Sequence, residues 1–212
     1  MKISKFIASI LAVALTVAIG SSSAFAFGIP SIPGVGSGGG STANAGEVVM
    51  DTRNSLYSFT SAELGLLQAI GGYENLAAQQ ELLKGMKAGD AAASKEDLET
   101  LKTIHASAQP ALEKKVAENA KIDSAQKALA GQSMVEYVKG LVSTKKLVAS
   151  IQGLAKNPMA IGSDAGAVLY AAKEVPGVVT SGTSASGTLI KYLTANGVDT
   201  SEAQKAAEDL GK

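Results

Sequence analysis

A chain of 212 residues with 46% hydrophobic, 18% charged and 4% aromatic side chains has the size of one modest domain, since a domain typically takes ~100–200 residues. Nineteen Lys and Arg balance nineteen Asp and Glu, so there is no standing positive field to hold a phosphate backbone, and nucleic acid is not an expected partner. With no Cys and one His, disulfide scaffolds, thiolate catalysis, iron–sulfur clusters and Cys-ligated zinc fall away together, and no cofactor site is expected.

Met1-Lys2-Ile3-Ser4-Lys5 is a short basic start, the run from Phe6 to Gly20 is apolar and uncharged, and Ala24-Phe25-Ala26 has the small-x-small pattern of a signal-peptidase site. Residues 1–26 are therefore expected to be a signal peptide cleaved after Ala26. The apolar run is about 15 residues, shorter than the ~20 that cross a bilayer as a helix, so a retained anchor is the lesser alternative. No Cys follows the run to be acylated. Nineteen cations less Lys2 and Lys5 leave seventeen against nineteen anions, a net charge of −2 for the mature chain, which selects no charged partner. The short, Ala-rich form is that of a bacterial signal, and the periplasm or the cell exterior is the expected destination.

From Phe27 to Gly46 no side chain is charged. Phe27, Ile29, Ile32 and Val35 recur along a stretch that Pro30 and Pro33 keep out of the helix, and the run from Ser37 to Ser41 is a Gly/Ser linker. Residues 27–46 read as an extended arm, either a solvated leader or a tethered peptide whose four large apolar side chains dock on a neighbouring subunit or another partner. The glycines here follow no strand and open no helix, so they are not a phosphate-binding loop.

Beyond Gly46 the composition turns to Ala, Leu, Lys, Glu and Gln, and helices are expected throughout. Glu47 to Ile70 carries Val49, Leu56, Phe59, Leu66, Leu67 and Ile70 on one stripe, with Thr60-Ser61-Ala62-Glu63 as a capping box that divides it. Gly71-Gly72 ends it, and a helix from Tyr73 to Lys87 should return antiparallel to it. Ser94-Lys95-Glu96-Asp97 caps a long helix expected to reach Leu129, kinked or restarted at Pro110. Ser133-Met134-Val135-Glu136 opens the next, which runs to Asn157-Pro158 and should form a hairpin with its predecessor. The stretches 158–174 and 176–196 are rich in Ala, Gly and Ser, and small residues there let helix backbones approach closely. Asp199-Thr200-Ser201-Glu202 caps a last short helix. No repeat of fixed period is present, which excludes a solenoid. The expected fold is all-α, an antiparallel bundle of about five to seven helices over residues 47–212, preceded by the Gly/Pro-rich arm.

Chemistry is sparse. His105 lies seven residues after Leu98 and seven before Leu112, on or beside the buried stripe, where it is either a hydrogen-bonded core residue or a pH-sensitive group and general base. Position 102 is Lys, so there is no Glu-x-x-His pair for a di-metal site, and no metal is expected. Ser-x-x-Lys spacings at Ser124/Lys127 and Ser143/Lys146 have no companion motifs and read as surface residues. Glu96, Asp97 and Glu99 suit a first helical turn. No catalytic constellation assembles, so the sequence reads as non-enzymatic: an exported helical protein acting through protein–protein contacts, with the arm docking on itself or on another envelope protein. Two other readings stand beside it. The uncharged segment Val175 to Ile190 suits a membrane-active helix, although its 16 residues fall short of the ~20 of a span, and the body suits a small periplasmic ligand-binding bundle with an apolar pocket.

Overall fold

The computed structural model describes residues 44–86, 93–157 and 161–211. Of these, 85% are helical and none is in a strand. Six α-helices are present among the described residues: α1 (Ala45–Ile70), α2 (Leu76–Gly85), α3 (Lys95–Ala117), α4 (Lys127–Ala155), α5 (Ala165–Ala195) and α6 (Ser201–Ala207).

Helix α1 starts where the Asn44 side chain accepts the Gly46 N–H at 3.1 Å, and it stops at Gly71, whose φ of +83° is open to glycine at no steric cost. It runs unbroken through the expected capping box. Thr60 and Glu63 are both buried against other helices, so their side chains face the core instead of capping a new start. Helix α2 begins later than Tyr73, which packs beside it with its hydroxyl donating to Gln79 Oε1 at 3.1 Å. Only Leu83 of α2 is fully buried.

The capping box of α3 forms as expected, with Ser94 accepting from the Asp97 N–H and Asp97 accepting from the Ser94 N–H. Pro110 does not break this helix. It and Ala106 are exposed, so the carbonyl that the proline leaves without a donor faces water. The break comes after Ala117, where Asn119 takes a φ of +49° and the strand-free link to α4 is held by α5: the Tyr192 hydroxyl donates to the Ala120 carbonyl at 2.6 Å. Helix α4 accordingly starts at Lys127, six residues before Ser133, and Ser133 lies inside it against Gly65 of α1. Helix α5 is continuous through Pro176. Asp199 accepts the Ser201 N–H at 3.0 Å ahead of α6, which buries Ala203.

Helix α1 packs chiefly on α4 and next on α3, and α5 lies against α4 and α3. The expected α3/α4 hairpin is thus replaced by α1 contacts on both. Small residues explain the exchange, because a Cβ at Gly140 would stand 2.8 Å from the Phe59 nitrogen and one at Gly182 would stand 3.0 Å from Phe59 Cζ. Phe59 therefore sits where α1, α4 and α5 come together, its ring 4.7 Å from that of Tyr137. Leu66, Leu101, Met134 and Leu141 extend this core, and α6 covers α4.

Candidate functional site

The single histidine lies at that meeting point. His105 faces inward from α3 with 6% of its surface exposed, and its ring centroid is 5.2 Å from that of Phe59. Glu63, one helical turn after Phe59 on α1 and fully buried, brings both carboxylate oxygens to His105 Nδ1, at 2.9 and 3.0 Å. From α5, Ser181 places its Oγ 3.0 Å from His105 Nε2 and 3.0 Å from the Val178 carbonyl of its own helix. The next residue, Gly182, is the one that admits α5 to Phe59, and its carbonyl accepts from the buried Tyr137 hydroxyl of α4 at 3.1 Å. Four helices thus converge on one carboxyl–imidazole–hydroxyl chain.

Burial pushes the Glu63 carboxyl above its ordinary range, against the opposing pull of the His105 hydrogen bond and charge. Burial also holds the Tyr137 phenol well above its usual value, with the negative charges of Glu63 and Glu113 adding to the effect, so it remains a neutral donor. The Glu63–His105 pair has two bonding schemes, set by its proton count. With two protons on the pair, Nε2 carries a hydrogen and donates to Ser181, whose own hydroxyl turns to the Val178 carbonyl. With one proton, the hydrogen lies between Nδ1 and the carboxylate, Nε2 becomes an acceptor, and the Ser181 hydroxyl donates to it. Both acceptors of Ser181 are at the same 3.0 Å.

Ser181 opens on two adjoining clefts. The larger, about 470 Å³, runs between α3 and α5 over Tyr137, with Leu112, Val116, Ala185 and Leu189 among its apolar walls. The smaller, about 330 Å³, is lined by Lys102, His105 and Glu174. Gln109 and Glu113 border both. Gln109 Nε2 donates to Glu113 Oε1 at 3.1 Å, and because an ionised carboxylate only accepts, this fixes which end of the amide is oxygen. Gln109 Oε1 is buried without a hydrogen-bond partner among the described residues. At the rim Lys102 and Glu174 form an ion pair; the Glu174 carboxylate holds the Lys102 ammonium above its usual range, and Lys102 holds Glu174 below its own.

The chain of three resembles in outline the base-activated serine of acyl-transfer sites, but it differs in one chemical respect. Ser181 sits inside the continuous helix α5, where backbone N–H groups are engaged in the helical ladder, so none is turned toward a developing oxyanion. Among the described residues no group of three His, Asp or Glu could hold a metal ion. No helix of the described residues is long and apolar enough to cross a membrane, and Val175 to Ile190 lies within α5, with Val175, Val178, Val179, Leu189 and Ile190 buried.

Of the residues singled out by sequence, only His105 is brought into this site. Phe27, Ile29, Ile32 and Val35 lie outside the described residues. The sequence does not single out Glu63 or Ser181: Glu63 has the spacing of a helix cap after Thr60, and Ser181 lies within the uncharged segment Val175 to Ile190. One signal for Glu63 was present: it falls at a helical spacing between Phe59 and Leu66–Leu67 on the apolar stripe, and a carboxylate there needs a buried partner. No protein-family model, curated protein or solved structure matches this chain.

Proposed function

We propose that the chain is an exported, non-enzymatic binding protein, an antiparallel helical bundle that holds a small, largely apolar molecule in the cleft between α3 and α5. The cleft itself carries this reading. Its volume of about 470 Å³ falls among ligand pockets, which span roughly 300–1,000 Å³ and combine apolar walls with a few convergent polar groups. Here the walls are Leu112, Val116, Ala185 and Leu189, and the polar groups are Ser181, Gln109 and Glu113. The basic start, apolar run and Ala24-Phe25-Ala26 site support export.

The test is titration of a neutral, environment-sensitive naphthylamine dye into the purified chain and into Ala185→Phe, which fills the cleft from its wall. Saturable binding that weakens at least about tenfold in the variant, some 1.4 kcal/mol, with the helical circular dichroism retained, is the expected outcome. Equal binding by the two proteins would sink the assignment. Assembly through residues 27–46 is proposed beside it, on the four large apolar side chains of that uncharged segment. Light-scattering molar mass of the mature chain, with and without residues 27–43, decides it: identical monomer masses at every concentration would remove self-assembly.

A further inference from the structure

We propose that Ser181 is a nucleophile that accepts an acyl group from an activated ester, with His105 as its general base and Glu63 as the residue that positions the imidazole. The inference rests on the carboxyl–imidazole–hydroxyl chain and not on what occupies the larger cleft.

Three observations carry it. The distances from Ser181 Oγ to His105 Nε2 and from His105 Nδ1 to Glu63 are 3.0 and 2.9 Å, within the reach that proton transfer requires. The Glu63 carboxylate straddles Nδ1 with its two oxygens nearly equidistant, an arrangement that receives an Nδ1 hydrogen and leaves Nε2 free to take the serine's proton. Ser181 is half-buried at the junction of the two clefts, so an ester can lay an apolar acyl group toward Leu112 and Leu189 and its leaving group toward Lys102. Glu63, by contrast, is shut away from solvent, and His105, which lines the smaller cleft, keeps only 6% of its surface exposed.

In the step, Ser181 Oγ forms a bond to the acyl carbon while its proton moves to His105 Nε2. The bond from the acyl carbon to the leaving oxygen breaks, and the departing aryloxide takes up the proton that His105 then releases. The net change is one serine hydroxyl and one ester converted to one serine ester and one phenol. Neither step has an N–H of α5 turned toward the oxyanion, but acylation expels a good aryloxide leaving group whereas hydrolysis of the serine ester must expel an alkoxide, so the acyl group is expected to transfer once and stay, giving one equivalent per chain and no sustained turnover.

The reactive scheme is the one with a single proton on the Glu63–His105 pair, so transfer should speed up as pH rises through loss of the second proton. The ionisable groups facing the pair are Tyr137 from α4, Lys102 and Glu113 from α3, and Glu174 from α5. Lys102 and Glu174 offset one another, and Tyr137 stays neutral.

The experiment exposes the purified full chain to excess 4-nitrophenyl acetate in mildly alkaline buffer, following nitrophenolate release, intact mass and the acetylated peptide. One acetyl group on Ser181, installed at least about a hundredfold faster than on Ser184, is expected from general-base assistance. Ser184 lines the same cleft but bonds only to its own helix, which makes it the reference for unassisted acetylation. Ser186 lines neither cleft and bonds only to the Thr183 carbonyl, so Ser186→Ala should leave the rapid phase intact and Ser181→Ala should abolish it. Each of these removes only a hydroxyl. Glu63→Gln should slow the phase by a similar factor and displace its rise with pH while the circular dichroism is unchanged. Acetylation confined to lysines, labelling of Ser181 no faster than of Ser184, or a rapid phase indifferent to Glu63→Gln would overturn the proposal, and none of these bears on dye binding in the larger cleft.

Discussion

Gly140→Ala tests the packing on which the site depends. The change adds one methyl group in the interior of α4, where Ala is otherwise favoured over Gly by ~1 kcal/mol. At this position the new Cβ would lie 2.8 Å from the Phe59 nitrogen and 3.0 Å from its Cα. These are backbone atoms that no rotamer can move aside, so α1 and α4 must part. Overpacking of this kind costs roughly 1–3 kcal/mol or more, and part of the cost falls on the Phe59–Tyr137 contact and on Glu63 one turn further along α1. Set against the gain in helix propensity, the net expectation is a loss of up to about 2 kcal/mol. Gly187 in α5 is the control, since a Cβ there meets nothing within 4 Å, and Gly187→Ala should gain about 0.5–1 kcal/mol. For a chain of this size 1 kcal/mol moves Tm by about 2–4 °C, so the two variants should melt on opposite sides of the parent by circular dichroism. A Gly140→Ala protein at least as stable as Gly187→Ala would refute the claim that this glycine sets the α1–α4 distance.

The raised Glu63 carboxyl predicts the pH dependence of stability. A folded-state pKa above the unfolded value of about 4.5 means that the contribution of the Glu63 proton is whole below that pH and is lost as pH climbs through the folded value. Urea midpoints should therefore fall with rising pH across that window more steeply for the parent than for Glu63→Gln, and parallel curves would contradict the assignment. Ser94→Ala removes one half of the α3 capping box and should cost about 1 kcal/mol, read in the same unfolding assay; a change within error would mean that Asp97 alone suffices. Tyr137→Phe deletes the hydroxyl that bonds Gly182; that carbonyl keeps its ladder bond within the continuous α5, so the cost should be that of one hydrogen bond, about 0.5–1.5 kcal/mol, and an unchanged midpoint would show that the bond adds nothing net to stability.

The helical character was legible from composition and apolar stripes, and the Ser94–Asp97 box marked the start of α3 because capping is a local matter of hydrogen bonds between near neighbours. Where the reading failed, distant packing had overruled local chemistry. Thr60 and Glu63 have the spacing of a cap, yet the core claims both side chains. Ser133 likewise looks like a helix start, but it is buried against a glycine more than sixty residues earlier in the chain. Pro110 reads as a kink or a restart, whereas within the formed helix it costs a hydrogen bond that packing outweighs. The candidate site was the least legible part. Glu63, His105 and Ser181 come from three helices, no short motif joins them, and only the lone histidine on an apolar stripe announced itself.

The order of helix contacts also bears on how the chain acquires its structure. Helix α1 finds its main partner in α4, with the whole of α2 and α3 between them in sequence. That loop must close before the contact yields any burial, and loop closure has an entropic cost that local hairpins avoid. A chain emerging N-terminus first would therefore present the apolar face of α1 without its cover until α4 has followed, and that interval is when it is most exposed to mispairing or capture by a chaperone.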